Sequence, residues 1–396
     1  MNKTNIAVLF GGKSVEHEVS IISGNQALHA IRSNDRYNVI PIYITKKGNW
    51  YTGEVLFDLS NYQNSKALLG DCDQLSVSFS DKSFFTYRKS FWGSKKVEYK
   101  VDVAFPVFHG TFGEDGSVQG VFELMDIPYT GSNVLASATT MDKVTTKMVL
   151  RESNVKVLDY DWLYADEWIL ERDGILNRIA NKFSFPLIVK PSDLGSSIGI
   201  SKAADLTELE EAIDFAAGYS SRIIVEPAIT NLKEINCSVM GNHTDMETSV
   251  CEEPLGSDEI LSFEDKYKSG GKQQGMSGLK RRIPANITPE QEQTIKTMAK
   301  QTFRAFDSSG LVRIDFMINQ DDDEIYVNEI NTIPGSLSFY LWKHSDINFS
   351  KLADKLIQIA VKRHSQQSKR TFTFDANLLS EFTGSKGGGG SKLGKA

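Results

Sequence analysis

Cysteine is scarce: the 396 residues hold three, Cys72, Cys237 and Cys251. They are odd in number, far apart and form no C-x-x-C pair, which excludes a disulfide framework or a thiolate metal centre and fits a reducing compartment. Long hydrophobic runs are missing too. None approaches the ~18 apolar residues of a membrane span, and Ile6 to Phe10 is too short for a signal-peptide core. Positive charge is outweighed, with 44 Lys and Arg against 51 Asp and Glu and a net charge of -7, which argues against a nucleic-acid surface. No internal repeat is visible. The "GKS" at 12–14 is no P-loop, because the pattern G-x-x-x-x-G-K-[ST] needs glycine where Ala7 stands. What remains is a cytoplasmic protein with neither nucleic-acid nor membrane partners. Its composition, 40% hydrophobic and 24% charged, suits two or three globular domains.

The chain opens as a βαβ unit: "NIAVLFGGKSVEHEVSIISGNQALHAI" reads as strand, glycine turn and helix, and "YNVIPIYI" as the next strand. Residues 50 to 104 read as a β-rich excursion, after which the parallel sheet resumes at Val103 to Phe108. Val118, Val121, Phe122 and Met125 recur at helical spacing, with Glu114 and Asp115 expected in the first helical turn. "NVLASATTMDKVTTKMVLRES" reads as one further helix. The units predicted are an N-terminal α/β domain at 1–131, a central one at 132–225, a last one at 226–366, and a flexible tail at 367–396.

Two segments carry chemistry. In "FPLIVKPSDLGSSIGISK", residues 185 to 202, an apolar strand ends at Lys190, Pro191 stops it, and Gly195, Ser196, Ser197 and Gly199 follow. Such a loop has backbone N–H groups and a lysine to close around phosphate, or is simply a mobile hairpin tip. "LVRIDFMINQDDDEIYVNEINTIPGS" reads as two apolar strands joined by a polar turn. Asp315 lies on the first strand; Glu329 and Asn331, two apart on the second, share a face. Two carboxylates and an amide suit a hard cation such as Mg²⁺, which takes few protein oxygens and completes its shell from phosphates. Asp321 to Asp323 read as a solvated turn.

In "LFGGKSVEHEVS", "FHGTFGEDGSVQGVFELMDIPYTGS", "MDK", "VKPSDLGSSIGISK", "RIDF" and "NEINTIPG", in that order, the chain resembles the D-alanine–D-alanine ligase family of the ATP-grasp superfamily, over roughly residues 5 to 365. The resemblance implies an ATP-grasp fold of three α/β subdomains, the first Rossmann-like, and an ATP-dependent ligase. That ligase joins two D-alanines through an acyl phosphate for peptidoglycan synthesis, with ATP and two Mg²⁺ ions, a place Mn²⁺ can also take, and works as a homodimer. It implies that Lys143, Lys190, Ser197 and Lys266 contact phosphates, that Glu226 meets the adenine and Glu234 the ribose, and that Asp315, Glu329 and Asn331 hold the metal. Glu16 matches the residue that holds the first substrate's ammonium, His109 one near that substrate, and Ser196 and Tyr267 the partners of Glu16. Arg313, on the face of Asp315, is placed to stabilise an oxyanion. His17 and Glu18 are read as helix-dipole partners. "ILSFEDKYKSGGKQQGMSGLKRRIPANI" resembles the loop that closes over the site.

After "NTIPG" the chain departs from the family pattern. The common small polar segment is replaced by "SLSFYLW", where Gly335, Ser336, Ser338 and Tyr340 are candidates for the second substrate's side. Phe339, Tyr340 and Trp342 either join the core or reshape that pocket. The alternatives are therefore a sibling ligase that joins D-alanine to D-serine or another amino acid, and a nucleotide-binding protein without turnover.

Overall fold

The computed structural model describes residues 3–90, 93–195, 198–255 and 281–374. Its first sheet is built on three parallel strands. β1 (Thr4–Gly11) is central, flanked by β2 (Tyr37–Ile44) on one side and by β8 (Val103–Phe108) on the other; short strands β3 (Trp50–Thr52) and β4 (Asp73–Gln74) extend the β2 edge antiparallel. β1 and β8 are apolar without alternation because both faces are covered. The helix His17–Arg32 is tied to this sheet through Ser20, whose Oγ accepts from Gly11 N at 2.8 Å and donates to the Val107 carbonyl at 2.6 Å. Gly24 on that helix lies where a Cβ would stand 2.5 Å from Phe10. The excursion holds β5 (Ser76–Ser78), β6 (Ser83–Ser90) and β7 (Gly93–Lys100) as a separate antiparallel sheet, but also a short helix, Ser65–Gly70, that the β-rich reading missed.

Two antiparallel sheets follow. One has the order β11 (Ser201–Ala203), β10 (Leu187–Pro191), β12 (Arg222–Pro227), β9 (Asp161–Tyr164), and packs against the helices Arg172–Lys182 and Leu206–Ala217. The other runs β15 (Arg281–Arg282), β14 (Met246–Pro254), β13 (Leu232–Gly241), β16 (Gly310–Asn319), β17 (Glu324–Asn331). β16 is internal, so Arg313 and Asp315 sit away from any edge.

Three sequence expectations are corrected. The helix read through 133–153 is two, Val134–Met141 and Lys143–Glu152; they break at Asp142, whose side chain caps the second by accepting from Thr145 N at 2.7 Å. Glu114 and Asp115 precede the helix Ser117–Leu124 rather than entering its first turn, because Gly116 takes a left-handed φ of 92° and ends the loop there. His17 is buried, not a dipole partner at the surface: its ring nitrogens lie 2.6 Å from the Gly12 carbonyl and 3.0 Å from the Tyr43 hydroxyl. Burial holds it below the usual histidine value, so the positive end of the helix meets a neutral ring.

Packing crosses the order of the chain. The helix Phe349–Gln367 places Leu352, Leu356 and Ile357 in one core with Ile6, Val8 and Phe10 of the first sheet. Ala136 and Leu150, from the two helices after residue 133, pack with Ile314, Phe316 and Val327 of the last sheet. Among the described residues no helix is long and apolar enough to cross a membrane.

Candidate active site

Antiparallel pairing sets the acidic face of the last sheet. Asp315 stands opposite Glu329, and Arg313 opposite Asn331. Arg313 grips Asp315 with two parallel bonds, Nε to Oδ1 at 2.6 Å and Nη2 to Oδ2 at 2.7 Å, and Asn331 Nδ2 donates to the same Oδ2 at 3.1 Å. Burial pushes the Asp315 carboxyl up to about 6; Arg313 opposes that shift, and Glu329 and Glu234 add to it. Crowded, half-desolvated carboxylates of this kind gain from an added cation. Among the described residues no cluster of three or more His, Cys, Asp or Glu side chains is arranged to hold a metal by itself. A cation here would therefore rest on Asp315, Glu329, the Asn331 amide oxygen and oxygens of an anionic ligand, which fits Mg²⁺ better than a caged ion.

The basic face comes from one helix and one strand. Lys143, at the start of its helix, sends Nζ to the Leu194 carbonyl at 2.6 Å and lies 3.8 Å from Glu329 Oε2. It thereby bridges the loop after β10 to the acidic sheet. Asp142 fastens the same loop, accepting from Ser192 Oγ at 2.6 Å and from Arg222 Nη1 at 3.0 Å. Lys190 on β10 pairs with Ile224, so its same-face diagonal neighbour on β12 is Glu226. Lys190 Nζ lies 2.7 Å from Glu226 Oε2 and 3.4 Å from Asn328 Oδ1. Burial works against the Lys190 charge, but Glu226 outweighs it and holds the ammonium above its usual value.

Between these faces lies a cavity open to solvent, whose lining includes Glu16, Glu114, Lys143, Gly195, Glu329 and Asn331. Glu16, 9% exposed, approaches from the turn after β1. Gly110 and Gly195 both face it: a Cβ on Gly110 would stand 2.7 Å from its carboxylate and one on Gly195 at 3.3 Å. His109 is buried beside it. Its Nε2 lies 2.9 Å from Ser23 Oγ, and Ser23 Oγ also accepts from Ser336 N at 3.0 Å. Burial lowers the His109 ring to about 4, so it is neutral.

Of the residues singled out from sequence, Glu16, Lys143, Glu329 and Asn331 meet at the cavity; Arg313 and Asp315 are linked to Asn331, and Lys190, with Glu226, reaches the cavity wall at Asn328. Glu234 lies on β13 near Asp315 and Lys190, to whose charges it couples. Ser196, Ser197, Lys266 and Tyr267 lie outside the described residues. Gly335 to Ser338 form a tight turn in which Ser336, Leu337 and Ser338 all take left-handed φ, 50°, 50° and 46°. The aromatics behind it divide. Trp342 is core, 1% exposed, with its indole N–H donating to Ser238 Oγ at 3.1 Å, and Phe339 stacks on Phe349 with centroids 4.7 Å apart. Tyr340 instead donates its hydroxyl to Glu252 Oε2 at 3.1 Å, beneath the Arg281 guanidinium 4.3 Å from its ring centroid.

Sequence reasoning missed several of these groups. Lys147 is one helical turn beyond Lys143, and that i, i+4 spacing was the available signal. Glu114 accepts from Gly110 N and Ile333 N at 2.7 and 3.1 Å, while burial and the charge of Glu16 push it up to about 8. Glu252, Arg281 and Ser23 are brought in only by long-range folding and left no local pattern.

A parallel α/β unit joined to two antiparallel sheets, with Lys190 of one and Lys143 of a helix turned towards the carboxylates of the other, defines an ATP-grasp ligase. Family models described as the D-ala D-ala ligase N-terminus and C-terminus match residues 5–132 and 149–358. The chain is 42% identical to the D-alanine–D-alanine ligase of Thermosipho melanesiensis, over 95% of this chain and 98% of that one. Its fold is similar to the solved D-alanine-D-alanine ligase of Coxiella burnetii, with TM-score 0.77 and 29% identity over 93% of this chain and 97% of that chain. It is also similar to the VanG D-Ala:D-Ser ligase of Enterococcus faecalis, with TM-score 0.75 and 31% identity over 91% and 100%. The chain belongs to the D-alanine–D-alanine ligase family.

Proposed function

We propose that this protein joins two D-alanines at the expense of ATP, in the cytoplasm and as a homodimer, to supply the dipeptide for peptidoglycan. The observation that carries the reading is the meeting of Glu16, Lys143, Glu329 and Asn331, from three separate elements, around one cavity beside the Gly195 loop. The carboxylate of the first D-alanine attacks the γ-phosphate of ATP and ADP leaves; the amine of the second then attacks the acyl phosphate and phosphate leaves. In this reading the subdomains divide at 1–131, 132–225 and 226–366.

Lys143 and Lys190 hold the phosphates, with Ser197 and Lys266; Glu226 faces the adenine and Glu234 the ribose. Asp315, Glu329 and Asn331 would hold Mg²⁺, which when bound neutralises charge on the phosphate oxygens. Glu16 fixes the first ammonium, with Ser196 and Tyr267 alongside, and neutral His109, behind Gly110, adds no positive charge to compete with that ammonium. Arg313 spends Nε and Nη2 on Asp315, leaving Nη1 for the oxyanion that forms when the amine adds. Gly335, Ser338 and Tyr340 border the second substrate.

The test is ADP and phosphate release with Mg²⁺ and ATP over a panel of D- and L-amino acids, with products identified by mass. D-alanyl-D-alanine from D-alanine alone is expected. Turnover only on addition of D-serine or another acceptor overturns the choice of acceptor, and no turnover with any amino acid overturns the ligase reading.

A further inference from the structure

Glu226 is outnumbered by the charges around it. Lys147 leaves the same helix face as Lys143 one turn on, and its side chain is 2% exposed, as is that of Glu226. Among the described residues its only anionic partner is Glu226 Oε1, while Oε2 of the same carboxylate takes Lys190. Two buried ammonium groups thus share one buried carboxylate, and the charges of Glu329 and Glu234 support Lys190 but not Lys147. The Lys147 ammonium also lies 5.8 Å from the centroid of the Tyr160 ring. Burial pulls Lys147 below the usual lysine value, Lys190 adds repulsion, and only Glu226 opposes both. A second ammonium in such a place is a poor stabiliser by itself, so its presence calls for an anion that arrives later.

We propose that Lys147 is a positioning residue: it is the counter-ion that keeps Glu226 compensated when Lys190 turns from that carboxylate to the phosphates of the nucleotide. The inference rests on the ATP reading above. Lys190 is the last residue but one of β10, next to the loop that leads to Gly195, and it has two anions to serve, Glu226 now and a phosphate once nucleotide binds. Were Lys190 the sole partner of Glu226, each binding event would strand a buried carboxylate, and that cost would be subtracted from nucleotide affinity. With Lys147 beneath it, Glu226 keeps a partner in both states.

The experiment measures the ratio of ATP to adenosine affinity by calorimetry, with Mg²⁺, in the full chain and its variants. Lys147→Met is expected to lower that ratio about tenfold or more, because Lys190 is then held by Glu226. Lys147→Arg keeps the charge and should stay within about threefold of the parent. Lys147→Met combined with Glu226→Gln removes the carboxylate that would be stranded and restores the ratio; any loss of adenine contact there affects both ligands and cancels. This double variant carries the test alone if Lys147→Met does not fold: a restored ratio supports the inference and a lowered one overturns it. An unchanged ratio in folded Lys147→Met also overturns it, whether affinity for both ligands is intact or both fall together, since the lysine then merely shapes the pocket. A parent protein that binds no ATP would instead overturn the nucleotide reading.

Discussion

The two sides proposed for the substrates are built by different means. The side proposed for the nucleotide stands on regular elements: a strand that delivers Lys190, a diagonal neighbour that delivers Glu226, and a helix whose turns deliver Lys143 and Lys147. The side proposed for the acceptor stands on three consecutive left-handed residues, Ser336 to Ser338, and on bonds that reach far along the chain, such as Tyr340 to Glu252. Regular elements repeat with fixed periods, so a site built on them leaves a periodic trace in the sequence. A turn held by distant partners leaves none. The substitutions below pull the two apart.

The largest effect belongs to the acidic sheet between them. Glu329→Gln removes a carboxylate that faces both Asp315 and Lys143. Loss of its charge should cost about 3 kcal/mol or more in the transition state, about 10²-fold or more in kcat. Turnover with saturating ATP and D-alanine checks this; a rate within a few-fold of the parent removes Glu329 from the cation site. Burial and the Arg313 pair protect Asp315, so the fold itself should persist.

Second is the pH dependence of the wall that joins the two sides. His109 titrates near 4 in the fold, and an unfolded histidine near 6.5. Between those values the unfolded chain binds the extra proton, so stability contributed by neutral His109 is present above about 6.5 and is lost as pH falls towards 4. The full contribution is about 3 kcal/mol. Glu114, pushed the other way, acts with opposite sign at higher pH. The readout is therefore the difference between parent and His109→Asn in chemical denaturation from pH 7 to 4, which should shrink on acidification. A constant difference places the ring's pKa near its ordinary value.

How far the sequence reached follows the same division. The βαβ opening, the strand before the glycine loop and the Asp315, Glu329 and Asn331 face were legible because apolar residues alternate or repeat around them. The break at Asp142 was not, since "TTMDKVTTK" is helical on both sides and only the capping carboxylate marks the interruption. The assignment of helices to layers was not legible either: Leu352 and Leu356 announce an apolar face but not that Ile6 and Phe10 will cover it. On the acceptor side, "SLSFYLW" fixed the residue types but not their fates. Three aromatics of similar apolarity went to two core positions and one polar contact, decided by Ser238, Phe349 and Glu252, all remote in sequence.

Third, Tyr340→Phe tests whether the acceptor side is separable. Glu252 would keep Arg281 at 3.3 Å and Asn236 at 3.3 Å, so the lost bond should cost about 1 kcal/mol. KM for the second D-alanine should rise about five-fold, with KM for ATP unchanged. An equal rise in both would mean that the two sides share one strained unit and the comparison fails.

The smallest effect concerns the turn itself. Ser338 is fully buried, its Oγ has no hydrogen-bond partner among the described residues, and its backbone is left-handed. A non-glycine residue there costs about 1–2 kcal/mol, against about 0.5–1 kcal/mol for the greater unfolded freedom of glycine. Removing an unpaired buried hydroxyl adds to the gain. Ser338→Gly should therefore stabilise the protein by about 1 kcal/mol and raise Tm by about 2 °C. If the turn is held in this shape to present its groups to the second amino acid, the same change should lower acceptor-dependent turnover while ATP binding stays as it was. Greater stability with unaltered acceptor kinetics would make the strain incidental to catalysis, and lower stability would mean that the Ser338 side chain fills space whose loss outweighs the relief of the backbone.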